Sequence, residues 1–291
     1  GPMRKNSIGV DLSQASERAV LERNVAELVG GKALEAGPII SGKAKTSGGA
    51  DVFAPADLSR KLGTVLEASE ADVHAALDAA VKFQPEWDRL GGAKRAKILT
   101  DMGDALEANM DRLVALMSQE GGKTFGDGVA EVREAVDFCR YYVVQAEDKF
   151  EGQTRLPGPA GETNHISLHG RGVFACISPW NFPLAIFTGQ ITAALGAGNT
   201  VVAKPAEQTP LVAFEAVRIF QAAGLPVDAL HLLPGRGETV GAKLTNDLRV
   251  SGVCFTGGTD TARIINRTLA GRDGPIIPLI AETGGLNGMF V

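Results

Sequence analysis

Five short segments of this sequence join residue types that do chemistry, and each follows an apolar run. Residues 178–183 read SPWNFP, two prolines stiffening the chain around the amide of Asn181. An amide held in this way can donate to a developing oxyanion. An Asn just before a helix can equally be only its N-cap. Residues 204–210 read KPAEQTP and place Lys204 three residues before Glu207. That pair suits a ribose diol, the carboxylate accepting from the hydroxyls and the ammonium donating to them. The other reading is an exposed ion pair at a helix start, with Thr209 as N-cap and Pro210 at the first helical position.

Residues 235–241, GRGETVG, make a glycine turn between strand and helix, with one residue too many before the last glycine for a dinucleotide fingerprint. These glycines could serve a cofactor or only a tight turn. Residues 255–259, FTGGT, open another helix, and bare amides at such a start favour phosphate. A simple helix-entry turn is the other reading. Residues 281–285, AETGG, put Glu282 after an apolar run, where a raised pKa would suit a general base and solvation would leave an ordinary carboxylate.

These segments need elements to hold them. Apolar residues at helical spacing predict helices over 12–34, 71–81, 94–117 and 127–150, with 37–56 an extended or looped stretch. Residues 151–170 carry a Pro-Gly-Pro turn between two strand-like runs and predict a β-hairpin flap. From 171 the order becomes strand, helix, strand: GVFACI, TVVAK, ALHLL, VSGVCF and PIIPLIA alternate with helices over 184–195, 211–223, 239–244 and 259–269. The fold class is therefore α/β, a Rossmann-like parallel five-stranded sheet flanked by helices, with an N-terminal helical segment and the flap. In such sheets ligands bind at the carboxyl ends of the strands, where all five segments lie.

Composition narrows the function. With 29 Lys and Arg against 34 Asp and Glu in 291 residues, a net charge of -5 gives nucleic acid or an anionic membrane no basic face. At 44% apolar and 22% charged, the chain can bury a core. Cys139, Cys176 and Cys254 share no ligand spacing, and His74, His165, His169 and His231 form no metal motif. Neither a disulfide framework nor a metal site is expected. Without a long apolar run or a signal-peptide layout, the chain reads as soluble and cytoplasmic, from a parent that could itself be membrane-associated. Gly1, Pro2 and Met3 look like a tag remnant before a start methionine.

Taken in order, SPWNFPL, AKPAEQTP, LLPGRGETVG, FTGGTD and AETGGLN resemble the aldehyde dehydrogenase superfamily. ETGG, GRGETVGA and the NSIGVDL start are most similar to the L-glutamate γ-semialdehyde (Δ1-pyrroline-5-carboxylate) dehydrogenase half of bifunctional proline utilization A. The resemblance implies an NAD cofactor. It implies that Asn181 is the oxyanion-hole amide, that Glu282 is the base activating the hydrolytic water, and that Lys204 and Glu207 contact the adenosine ribose. Ile177, Ser178, Pro179 and Trp180 would line the cofactor groove, Gly237 would pass beside the adenine, and Gly257 and Gly258 would approach the pyrophosphate. Gly258 stands where the family usually has serine, which removes a hydroxyl contact to phosphate. Leu286 falls at a variable position.

In that family a cysteine attacks the aldehyde, hydride passes to NAD, and the thioester is hydrolysed with help from the glutamate. The cysteine follows the glutamate motif at a distance exceeding the nine residues left here after Glu282. The three cysteines present lie on a helix or inside strands and read as inert. The expectation is a truncated chain: 4–150 as the mostly helical part of the NAD-binding domain, 151–170 as the oligomerisation flap, 171–291 as the Rossmann-like core, and the cysteine domain absent. Such a chain would bind NAD and turn over no aldehyde alone, and its flap would be displaced, swapped or mobile, inviting self-association. Two alternatives stay open: a non-catalytic assembly module with a vestigial groove, and part of an aldehyde dehydrogenase with another substrate.

Overall fold

The computed structural model describes residues 4–29, 31, 33–285, 288 and 289; the tag-like residues 1–3 and Leu286 lie outside the described residues. Helix α1 (Ala15–Val29) is followed by strands β1 (Leu34–Ala36), β2 (Ile39–Ile40), β3 (Lys43–Ala44), β4 (Ala50–Ala54) and β5 (Asp57–Val65). The expected first helix thus stops short of Leu34, and the extended stretch proves to be strand. β1, β5 and β4 form a small separate sheet.

Four helices come next: α2 (Glu70–Arg89), α3 (Gly92–Ala108), α4 (Met110–Glu120) and α5 (Phe125–Phe150). Ser69 starts α2 with a capping box to Asp72, and Thr124 caps α5 through the Asp127 amide. α2 continues past Pro85, because Trp87 is buried and its indole donates to Leu195 O at 3.0 Å. The single helix expected over 94–117 breaks at Asn109. Its side-chain amide donates to Ala105 O at 2.8 Å, and its ψ of 20° leaves the helical region.

Strands β6 (Thr154–Leu156) and β7 (Asn164–Ile166) form the hairpin, whose residues are exposed or nearly so. Its base is tied down, since the Gly170 amide and the His169 ring both reach Asp88, at 2.7 and 3.0 Å. The alternation that follows is β8 (Val173–Ile177), α6 (Ala185–Gly196), β9 (Thr200–Lys204), α7 (Pro210–Ala222), β10 (Leu230–Leu232), a π-helical turn (Gly237–Gly241) running into α8 (Ala242–Asn246), β11 (Val250–Gly257), α9 (Thr259–Ala270) and β12 (Leu279–Thr283). The last strand is shorter than the apolar run that predicted it.

Strand order in the main sheet is β12-β11-β8-β9-β10-β2-β3. The first five are parallel, and the two short N-terminal strands extend them antiparallel. Alternate residues of β8 and β9 feed opposite layers. Phe174, Cys176, Val201 and Ala203 face the core under α3 to α7, whereas Val173, Ala175, Ile177 and Val202 face the core with α2, α8 and α9. Burial on both faces is why these strands read as unbroken apolar runs. Among the described residues, no helix is long and apolar enough to cross a membrane.

Candidate functional site

Register aligns the carboxyl ends of the parallel strands. Ala281, Phe255, Ile177 and Lys204 stand side by side on β12, β11, β8 and β9, and Ala203 pairs with Leu232 on β10. Every motif segment therefore leaves the sheet on the same rim. From β8 the chain proceeds to β9 and β10 on one side, then returns to β11 and β12 on the other. The reversal falls between the ends of β8 and β11, the position where doubly wound sheets bind ligands.

The turn after β8 carries Asn181. Ser178 is buried and its amide donates to Lys204 O at 3.2 Å, while Trp180, Asn181 and Phe182 are exposed and Pro183 and Leu184 are buried again. Asn181 does not cap α6, whose N-cap position is Leu184 and has no side-chain cap. The first amides of α6 are satisfied from another helix: Glu131 Oε1 accepts from Leu184 N at 2.8 Å and Ala185 N at 3.1 Å. Glu131 is paired with Lys123, whose ammonium lies 4.2 Å from the centre of the Phe182 ring. At the reversal, Gln190 Nε2 donates to Ile177 O at 3.2 Å and Thr256 Oγ1 at 3.1 Å, joining the ends of β8 and β11.

Lys204 is almost fully buried, not the exposed partner that one sequence reading allowed. Its Nζ donates to Pro205 O at 2.9 Å and lies 3.6 Å from Glu207, which is half-exposed. Burial pulls the Lys204 ammonium below its ordinary pKa, and the carboxylates of Glu207, Glu238 and Glu67 oppose that pull. Thr209 occupies the N-cap position of α7 with Pro210 behind it but makes no side-chain cap. Glu120 does that work, accepting from Leu211 N and Val212 N at 2.8 and 2.9 Å. Gly235 sits at φ 153°, and a Cβ there would lie 2.4 Å from Val240 Cγ2. Nothing would meet a Cβ at Gly237, so that backbone opens onto free space.

Gly257 makes room for a ring, since a Cβ would lie 2.7 Å from Phe255 Cζ. Gly258 is the N-cap of α9, exposed, without a side-chain cap and with open space around it. Glu282 pairs in register with Thr256 across β11 and β12. β12 is the outermost of the described strands in this sheet, and Glu282 is exposed on it. All three cysteines are free and buried. Burial pushes the Cys139 thiol up to about 12, and the hydrogen bond between Cys176 and Cys254 raises the first thiol and lowers the second, against burial. All three are enclosed in a helix or in strands, short of the loops at the rim. Among the described residues, no three His, Cys, Asp or Glu side chains cluster as metal ligands.

The structure thus gathers Ile177, Ser178, Pro179, Trp180, Asn181, Lys204, Glu207, Gly237, Gly257, Gly258 and Glu282 on one rim. Sequence reading missed Lys123, Glu131, Gln190 and Glu120. The available signal was an acidic residue on the apolar stripe of α5, where Glu131 stands beside Val129 and Val132, both buried.

The aldehyde dehydrogenase family model matches residues 42–291. The chain is 45% identical to the bifunctional protein PutA of Escherichia coli strain K12 over 294 residues, covering all of this chain and 21% of that protein. It is 35% identical to a 1-pyrroline-5-carboxylate dehydrogenase of Geobacillus, over 81% of this chain and 46% of the relative. It also superposes on a 1-pyrroline-5-carboxylate dehydrogenase from Thermus with bound NAD, at a TM-score of 0.92 and 30% identity over 97% of this chain and 55% of the other. The chain spans about a fifth of the length of the PutA relatives it matches. On the family match and the shared fold, this chain belongs to the aldehyde dehydrogenase family.

Proposed function

We propose that this chain is the NAD-binding portion of an NAD-dependent L-glutamate γ-semialdehyde dehydrogenase, which oxidises the semialdehyde to glutamate in proline catabolism. The observation that carries the reading is the register row of Ala281, Phe255, Ile177 and Lys204, which sends the motif loops off one rim at the sheet's reversal point. The relatives named 1-pyrroline-5-carboxylate dehydrogenase and PutA support the substrate class.

The residues present fit a dinucleotide. Lys204 and the half-exposed Glu207 offer a donor and an acceptor to a ribose diol. The open backbone at Gly237 and Gly258 leaves room for close approach, and the uncapped start of α9 presents amides to a pyrophosphate. Ile177, Ser178, Pro179 and Trp180 wall the groove between these points. Bound there, the nicotinamide supplies the hydride acceptor. Asn181, exposed on a turn stiffened by Pro179 and Pro183, donates to the oxygen of the reacting carbonyl as it gains charge. Glu282, exposed on the same rim, takes a proton from water for hydrolysis. The sulfur nucleophile is none of Cys139, Cys176 and Cys254, so the chain by itself binds cofactor and does not turn over aldehyde.

We assign residues 4–150 and 171–291 to one NAD-binding unit and 151–170 to self-association. Isothermal titration with NAD tests the proposal: saturable binding is expected, weakened at least about tenfold in Glu207→Ala, which removes a charged hydrogen-bond acceptor. The exposed Leu156, Ile166 and Leu168 of the flap favour a second reading, an assembly module with a vestigial groove. Absence of binding heat would select it.

A further inference from the structure

The turn that carries Asn181 must be held still for its amide to act, and its own sequence supplies only two prolines. Ser178 anchors its start to Lys204 O, and its far end is held by one ion pair on the helix behind it. Glu131, on α5, has a side chain with no solvent exposure, and Lys123, just before α5, has 13%. One carboxylate oxygen accepts from the Leu184 and Ala185 amides, the first of α6. The other faces the Lys123 ammonium, which also sits over the Phe182 ring at 4.2 Å. A single charge pair therefore grips the turn twice, at Phe182 beside Asn181 and at the helix start behind it.

We propose that Lys123 and Glu131 are positioning residues for the Asn181 amide: the carboxylate that bridges the Leu184 and Ala185 amides to the ammonium over Phe182 locks residues 180–185. The physical reason is that a carboxylate with no access to water needs a cation and donated hydrogen bonds to offset its desolvation, and here both come from the groups that frame the turn. A charged carboxylate also accepts more strongly from helix-start amides than a neutral one does. Glu134, one turn along α5, feels both members of the pair: its carboxyl is raised by burial and by Glu131, and lowered by Lys123. The inference rests on the proposed function only in taking Asn181 as the carbonyl donor, and its test does not involve NAD.

Trp180 reports on the turn. It is 56% exposed, whereas Trp87, the only other tryptophan, is fully buried. Acrylamide quenching of the intact chain therefore reads Trp180, and full release of the turn would raise the quenching constant at most about 1.8-fold, from 56% exposure to complete exposure. In Lys123→Met the constant should rise towards that ceiling, because the cation that holds both Phe182 and Glu131 is gone. In Lys123→Arg, which retains the cation, it should stay at the parent's value. In Glu131→Gln it should also rise, since no charged acceptor remains for the Leu184 and Ala185 amides or for Lys123. Quenching in Lys123→Met unchanged from the parent would overturn the proposal. If that variant does not fold, Glu131→Gln with the quenching of the parent would overturn it equally.

Discussion

Gly258 offers the sharpest test of where a pyrophosphate would lie. It is the N-cap of α9, with φ -68° and ψ 143°, no side-chain cap, and nothing within 4 Å of the position a Cβ would take. Gly258→Ser therefore adds a hydroxyl without strain. As an N-cap, serine exceeds glycine by a few tenths of a kcal/mol, and losing a glycine from the unfolded chain adds a similar amount, so the gain is about 0.5–1 kcal/mol. At about 2.1 cal/mol/K per residue, 291 residues turn that into a rise in Tm of about 1–2 °C. If a phosphate oxygen meets these amides, the hydroxyl also gives it a charge-assisted hydrogen bond. Such bonds contribute about 1.5–3 kcal/mol, and at the low end, because the site is open to water, NAD should bind about tenfold more tightly. Gly258→Asp is the control. It caps α9 equally well and should raise Tm, but its charge repels phosphate and should weaken NAD binding. Calorimetric titration and thermal melts of the three proteins read both effects. Serine and aspartate variants with the same NAD affinity, alongside the expected melts, would refute a pyrophosphate at the start of α9.

Further outcomes follow from the same supports. Gly235→Ala should cost about 2 kcal/mol or more in thermal denaturation, because alanine at φ 153° is strained and its methyl would lie 2.4 Å from Val240 Cγ2. Arg95→Met should cost about 3 kcal/mol, read by urea unfolding, since the buried guanidinium donates to Gly196, Trp87 and Asp88 carbonyls that would lose their partner. Burial pushes the Glu120 carboxyl up to about 8, against the Leu211 and Val212 amides. A folded-state value raised in this way makes its contribution complete below the unfolded value of 4.5 and lost as pH rises towards about 8. Melts across that window should show a downward slope in the parent that is absent in Glu120→Gln.

Local rules carried the reading of the rim. The five parallel strands were legible because both faces of each are buried, which writes them as apolar runs such as 173–177 and 200–204. Burial of Cys176 and Cys254 was legible for the same reason, and that of Cys139 from the apolar stripe of α5. Where a rule of local order met a tertiary contact, the contact prevailed: Trp87 carries α2 past Pro85, and the Asn109 side chain divides α3 from α4. The short strands β1 to β5 were not legible as a sheet. β2 meets its partner far along the chain, Ile39 against Leu232 on β10, and β3 and most of β4 are exposed.

What the sequence determined by itself is the set of chemical groups and the order in which they leave the strands, because strand period and turn chemistry are properties of neighbouring residues. What only the tertiary structure decided is which groups sit together and what surrounds them. Lys204 and Glu207 are three residues apart, yet one is buried and the other half-exposed. Asn181 proves not to cap the helix beside it, since that cap comes from Glu131, 53 residues before Leu184. Glu282 follows an apolar run, yet it is exposed where Ile177 and Phe255, in the adjoining strand row, are buried. Burial and charge pairing depend on every element packed around a group, and no window of sequence contains them.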